Sequence, residues 1–235
     1  MVYGLWSNKL LMKIYKLNKK VLSITNNPSP FLNGLTSNTL DKSKNAFLDV
    51  HGKIIATFDQ IKINEDQFFI LIEQPFVEMV LKHLDRFARL SQVGIQQEDY
   101  RVYFDLEGAY KVETNEFVIP QKLGQLVITQ KDLENKVSEE EFIIFRLRNH
   151  IPVHGIDYQN EMLLNVDETE YVSFTKGCFL GQEPVSKVHN RSKPTWKLVV
   201  KYADDPSLEQ KQSMTSSMVD PSTRRIFGFA FVKNE

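Results

Sequence analysis

The chain changes its hydrophobic period twice between Gly52 and Gly108, and few folds accommodate that alternation in so short a span. "GKIIATFDQIKI" (52–63) places Ile54, Ala56 and Phe58 on one face of a strand, then shifts phase to Ile61 and Ile63, which predicts a bulge. "QFFILIE" (67–73) predicts a second strand. From Pro75 to Leu90 the spacing becomes helical, with Phe76, Val77, Val80, Leu84, Phe87 and Ala88 on one face. Glu78 with Lys82 and Asp85 with Arg89 are set for i,i+4 pairing on the other. "YRVYFDLEG" (100–108) returns to strict alternation. Strand, strand, helix, strand is half of a ferredoxin-like unit, so the fold class is α+β with mostly antiparallel sheets.

The flanking segments extend this reading. "VLSIT" (21–25) predicts a strand, and Ser29 with Pro30 predicts the start of a short helix that turns Phe31, Leu32 and Leu35 inward. Strands are expected near 116–119 and 124–129. Ser138 and Glu141 form a capping-box pattern ahead of an amphipathic helix that runs to about Asn149, with Pro152 and Gly155 beyond it. "WKLVVKYA" (196–203) and "RRIFGFAFVKN" (224–234) predict a small C-terminal β unit, with one short strand around Met214 in the polar stretch between them.

Charge and cysteine content narrow the function classes. With 29 Lys+Arg against 30 Asp+Glu the formal charge is -1, so no global field draws the protein to nucleic acid or membrane. The single cysteine, Cys178, excludes an internal disulfide, a CxxC pair and four-cysteine zinc, and is consistent with a reducing, cytoplasmic setting. No acidic residue precedes Asp41, but lysines interrupt every apolar run and no cleavage pattern is present, so residues 1–20 read as the start of the fold. No stretch has the length and hydrophobicity of a membrane span.

The candidate chemistry gathers in "KGCFLGQE" (176–183). Gly177 and Gly181 permit a close-approach backbone, Lys176 would favour a thiolate at Cys178, and Gln182 and Glu183 bring an amide and an acid into the same loop. On spacing alone packing remains the default, because a lone cysteine is among the most buried residue types. None of His51, His83, His150, His154 and His189 is placed as a base by a protease-type signature. Pro152 breaks the i,i+4 pair of His150 and His154, so these read as a solvated loop rather than a metal site, and no stably bound metal is expected. "KVHNRSKPTWK" (187–197) reads as a basic loop leading into a strand, with anion or RNA binding as the sharper alternative.

"KGCFLGQE" matches every fixed position of the K-G-C-[FY]-x-G-Q-E signature, and here the chain resembles the YgfZ-type folate-binding proteins, relatives of the aminomethyltransferase (T-protein) of glycine cleavage. "FLNGLTSNTL", "GKIIATF", "FRLRNHIPVHGID" and "GFAFV" are similar to further segments of that family, so the likeness extends through nearly the whole chain. The resemblance implies two ferredoxin-like α+β modules and a reduced C-terminal β-barrel around a central opening. Its boundaries would be a discontinuous folate-binding domain of 1–50 and 110–192, an inserted domain of 51–109 and a barrel module of 193–235. It further implies tetrahydrofolate or a one-carbon derivative as ligand and a role in iron–sulfur cluster assembly or repair, with assembly or client proteins as partners and tRNA modification reached indirectly. Cys178 and Lys176 map onto the reactive centre; Arg146, Gly177, Gly181, Gln182 and Glu183 map onto the folate site, with Arg146 pairing with folate or bracing the pocket. The acidic pair used by the aminomethyltransferase relatives falls at Ala56 and Thr57, so methylene transfer is the rival activity and a non-catalytic docking scaffold the third.

Overall fold

The structure is a computed structural model and describes residues 12–208 and 213–234. The reading of residues 1–20 as part of the fold therefore lies partly outside the described residues. In chain order the elements are β1 (Ile14–Lys16), β2 (Lys19–Thr25), α1 (Pro28–Leu35), β3 (Lys44–Leu48), β4 (Ile54–Asn64), β5 (Gln67–Glu73), α2 (Val77–Ser91), β6 (Gly94–Glu98) and β7 (Arg101–Asp105). They continue with β8 (Phe117–Pro120), β9 (Gln125–Thr129), α3 (Glu139–Arg148), α4 (Leu163–Val166), α5 (Gln182–Arg191), β10 (Trp196–Tyr202), β11 (Thr215–Val219) and β12 (Ile226–Lys233).

Three antiparallel sheets result, ordered β3-β4-β5-β2-β6, β1-β7-β9-β8 and β10-β12-β11. The first is covered on both faces, and the period-two alternation shows how. Phe68, Ile70 and Ile72 of β5 join Leu22 and Ile24 of β2 against α1 and α2, whereas Phe69 and Leu71 join Val21 in facing the second sheet. There they meet Val102 and Phe104 of β7, Leu126 and Ile128 of β9 and Phe142 of α3. A third apolar cluster joins the C-terminal sheet, through Leu198, Phe227 and Phe229, to Leu147, Leu163 and Phe179. The first sheet takes strands from both sides of residue 50, and the second from both sides of residue 109. The β-barrel expected at the C-terminus is, among the described residues, an open three-stranded sheet.

Several local expectations shift for identifiable reasons. The first helix begins at Pro28, two residues before Pro30, because Asn27 stands at φ 61° and its N–H donates to Asp66 Oδ1 at 2.7 Å. One bulge in β4 falls at Ile55: Phe47 faces Ala56 while Leu48 faces Ile54, and the extra residue sends Ile54 to a different apolar cluster from Ala56 and Phe58; the register with β5 shifts once more between Lys62 and Asn64. Between Phe58 and Lys62 the register with β5 is unbroken, so Ile61 and Ile63 record a change in which face of the strand is covered. The helix α2 is followed by β6, paired with β2, and the alternating 100–108 segment enters the second sheet as β7. The edge strand β6, with the sequence GIQQE, carries no apolar alternation from which to read it. The capping box forms as expected, with Glu141 N–H donating to Ser138 Oγ and Ser138 N–H to Glu141 Oε2.

Candidate functional site

A cavity opens where the three sheets converge. Its outer part, of about 460 Å³, is walled by Tyr171, Leu198, Val199 and Phe229, with Lys44, Lys122, Lys197, Asp167 and Glu168 around it. It shares Lys44, Gln121, Ile151, Pro152 and Tyr171 with an inner chamber of about 50 Å³ that reaches Lys19, Thr57, Asp59, Arg146, His154 and Tyr158. On the other side a shallower groove continues past Lys44, Lys122 and Glu170 to Asn38, Ser173 and Thr175.

The chamber wall is ionic and buried. Lys19 Nζ lies 3.2 Å from Asp59 and 3.0 Å from Glu73, Lys44 lies 3.8 Å from Asp59, and Gln121 Nε2 donates to the second Asp59 oxygen at 3.2 Å. Burial disfavours both charged forms, but the pairing outweighs it. The Asp59 carboxyl is held below its usual value by Lys44 and Lys19, and the Lys19 ammonium is held above its usual value by Glu73 and Asp59. Thr57 Oγ1 and the Tyr158 hydroxyl share a hydrogen bond of 2.6 Å. Burial also pushes the phenols of Tyr158 and Tyr171 above their ordinary range, so both stay neutral donors.

Arg146 reaches the chamber wall, but its guanidinium is committed within the protein. It donates to Asp157 Oδ2 at 2.7 Å and to Ser216 Oγ at 2.7 Å, while Ser216 Oγ and Thr215 Oγ1 donate to the other Asp157 oxygen. This buried pair ties α3 to β11.

His154 departs furthest from its sequence reading. It is only 4% exposed, with its ring stacked on Phe76 at 3.8 Å and on Tyr158 at 5.2 Å. Neither ring nitrogen has a hydrogen-bond partner. Burial, reinforced by the Lys19 charge, lowers its pKa to about 4, so the ring is neutral at physiological pH. The solvated loop expected here is instead packed: Gly155, at φ +85°, brings the chain so close to Phe76 that an added Cβ would lie 2.6 Å from the ring.

The octapeptide forms a tethered loop beside the cavity. Lys176 Nζ points inward and donates to the backbone carbonyls of Thr36 and Asn38, and burial lowers its pKa to about 8. Its ammonium thus anchors the loop, a different task from the thiolate stabilisation that the sequence suggests. Cys178 is exposed, Phe179 is buried, and Leu180 N–H donates to Gly34 O. Gly181 is forced: at φ +82° a Cβ there would lie 2.4 Å from Asp49 O. At Gly177 an added Cβ meets nothing within 4 Å, so packing does not demand that glycine. Gln182 and Glu183 form the first turn of α5 rather than a loop, and the basic stretch from Lys187 to Arg191 continues that helix.

Gly177, Cys178, Gly181, Gln182 and Glu183 are not among the residues lining the three connected spaces, which end at Thr175. Reasoning from sequence missed Lys19, Asp59, His154, Tyr158 and Tyr171. A usable signal existed for Asp59, which shares the Thr57 face of β4; the others carry none. Among the described residues no group of three or more His, Cys, Asp or Glu side chains could hold a metal ion. No helix of the described residues is long and apolar enough to cross a membrane.

No family model matches the chain. It is 26% identical over 153 residues to an uncharacterized protein of Haemophilus influenzae, covering 62% of this chain and 55% of that one. It is also 26% identical over 192 residues to a Dictyostelium discoideum protein named "iron-sulfur cluster assembly factor IBA57 homolog, mitochondrial", covering 67% of this chain and 46% of that one. The chain thus spans about half the length of the curated relatives it matches. Among solved structures, glycine cleavage system aminomethyltransferase T from Bartonella henselae superposes with a TM-score of 0.73 over 94% of this chain and 78% of that one, at 11% identity. The fold is therefore an α+β fold of the aminomethyltransferase T type.

Proposed function

We propose that the chain binds a tetrahydrofolate and supports iron–sulfur cluster assembly or repair, with the Cys178 thiol as the reacting group. The observation that carries this reading is a juxtaposition. An exposed thiol sits on a loop that Lys176 fastens to Thr36 and Asn38, and Asn38 lines the groove leading into the central cavity. The fold likeness and the assembly-factor name of a relative point the same way.

The cavity suits such a ligand. A volume of about 460 Å³ falls in the range of small-molecule sites. Lys122 and Lys197 on its lining offer ammonium groups for carboxylates, and the inner wall ends on neutral Tyr158 and Tyr171 and on the unpartnered His154. When bound, a reduced folate supplies one-carbon chemistry. This chain contributes the walls, the fixed charges of Lys19 and Asp59 and the brace of Arg146. The cluster or its sulfur donor is substrate, met at Cys178 on the surface, and tRNA-modifying enzymes are among the clients that would gain indirectly.

The rival activity, aminomethyl transfer, lacks a carboxylate at the matching positions. Ala56 is fully buried in the apolar core, and the hydroxyl of Thr57 is bonded to Tyr158. Asp59, the carboxylate two residues on, is already paired with Lys19.

Calorimetric titration of tetrahydrofolate into the protein tests the ligand: saturable heat is expected, and none at sub-millimolar ligand ends the folate reading. Cys178→Ala tests the thiol in cells lacking the native protein. Cluster-enzyme activity should fall to the level of the deletion, and full activity would refute the role given to Cys178.

A further inference from the structure

Among the fully buried side-chain nitrogen and oxygen atoms that line the inner chamber, only those of one residue lack a hydrogen-bond partner. Lys19, Asp59 and Gln121 bond to one another, Thr57 bonds to Tyr158, and Arg146 is spent on Asp157 and Ser216. His154 alone leaves both ring nitrogens without a partner. A buried donor or acceptor left unpaired destabilises the folded state, and native proteins retain few of them without a use.

The setting of the ring restricts that use. Phe76 and Tyr158 both stack against it, so the edge of the imidazole is what remains for a polar contact. Being neutral, that edge presents one N–H donor and one bare nitrogen acceptor. A metal role is disfavoured, because no group of three His, Cys, Asp or Glu side chains is assembled there among the described residues. A cation is disfavoured as well, since Lys19 already carries positive charge toward this ring. What remains is an uncharged polar heterocycle whose N–H, carbonyl or ring nitrogen reaches the inner end of the cavity.

We infer that His154 is the specificity-determining contact at the inner end of the cavity, hydrogen-bonding the polar edge of a neutral heterocyclic ligand. This rests on the folate reading, and it names a residue of this chain that selects the ring. The arrangement trades stability for recognition: the ring costs the unliganded protein, and the complex recovers that cost.

The test separates the two states. His154→Phe keeps an aromatic ring between Phe76 and Tyr158 and removes both nitrogens. Its unliganded melting temperature should be equal to or higher than that of the wild type, while tetrahydrofolate should bind about ten-fold more weakly or worse by calorimetry. His154→Gln, which restores a donor and an acceptor, should recover part of that affinity. The imidazole ¹⁵N resonances of wild-type His154 should shift on saturation with tetrahydrofolate. Equal affinity in wild type and His154→Phe, or unmoved His154 resonances at saturation, overturns this inference and leaves the folate reading standing. Absence of binding by the wild type overturns both.

Discussion

The chamber wall and the octapeptide loop, which follows directly on Thr175 at the end of the groove, are built by opposite rules. In the chamber, charge is abundant and almost wholly consumed: Lys19, Asp59, Glu73 and Lys44 neutralise one another, and Arg146 and Asp157 lock a buried joint. In the loop the anchoring groups are buried while the thiol and one glycine are left bare. The difference separates two tasks. The interior is a fixed network of paired charges, and the loop holds an exposed thiol on buried anchors.

The comparison breaks most readily at the buried joint. Asp157→Ala strands the Arg146 guanidinium, which is 3% exposed, and should cost about 3–5 kcal/mol in urea unfolding. A loss under 1 kcal/mol would mean that the C-terminal sheet does not depend on this clamp. Next comes the loop itself. Gly181→Ala meets Asp49 O at 2.4 Å with φ at +82°, and should cost about 2–3 kcal/mol. Gly177→Ala meets nothing within 4 Å and should stay within about 0.5 kcal/mol, so any functional loss there reports an approaching partner.

Protonation sharpens the contrast through a single ring. The His154 ring takes up its proton near pH 4 when folded and near 6.5 when unfolded. The unfolded chain therefore binds the proton first as pH falls. The contribution of the neutral ring is complete above about pH 6.5 and is lost progressively toward pH 4, by up to about 3 kcal/mol. Because carboxylates also titrate at the lower end, the measurement is the stability difference between wild type and His154→Phe across pH 7 to 4. A difference that does not change with pH would show that the ring is not desolvated.

Parts of this molecule follow from short stretches of chain. The capping box at Ser138, the apolar stripe of α2 and the apolar run of β5 each encode an element within a few residues, and each forms at its place. Gly181 was readable in the same way, as a glycine in a tight turn. The bulge in β4 was legible as an irregularity, but its position was not, because β3 decides which face of the strand is covered. Edge strand β6 left no pattern, since a half-exposed strand needs no apolar alternation.

The candidate site divides along the same line. The octapeptide announces Cys178 and Lys176 from sequence, because its residues act within one turn of chain. Tertiary structure alone decides where the Lys176 ammonium goes: to the carbonyls of Thr36 and Asn38, far away in sequence. Likewise Lys19, Asp59 and His154 come from two strands and a loop, and only Asp59, on the Thr57 face of β4, carries a local sign that sets it apart from solvated residues. Burial and pairing are properties of three sheets meeting. Sequence by itself therefore determined most of the elements and the octapeptide motif, while only the packed structure could expose the thiol and turn an ordinary lysine, aspartate and histidine into the wall of a cavity.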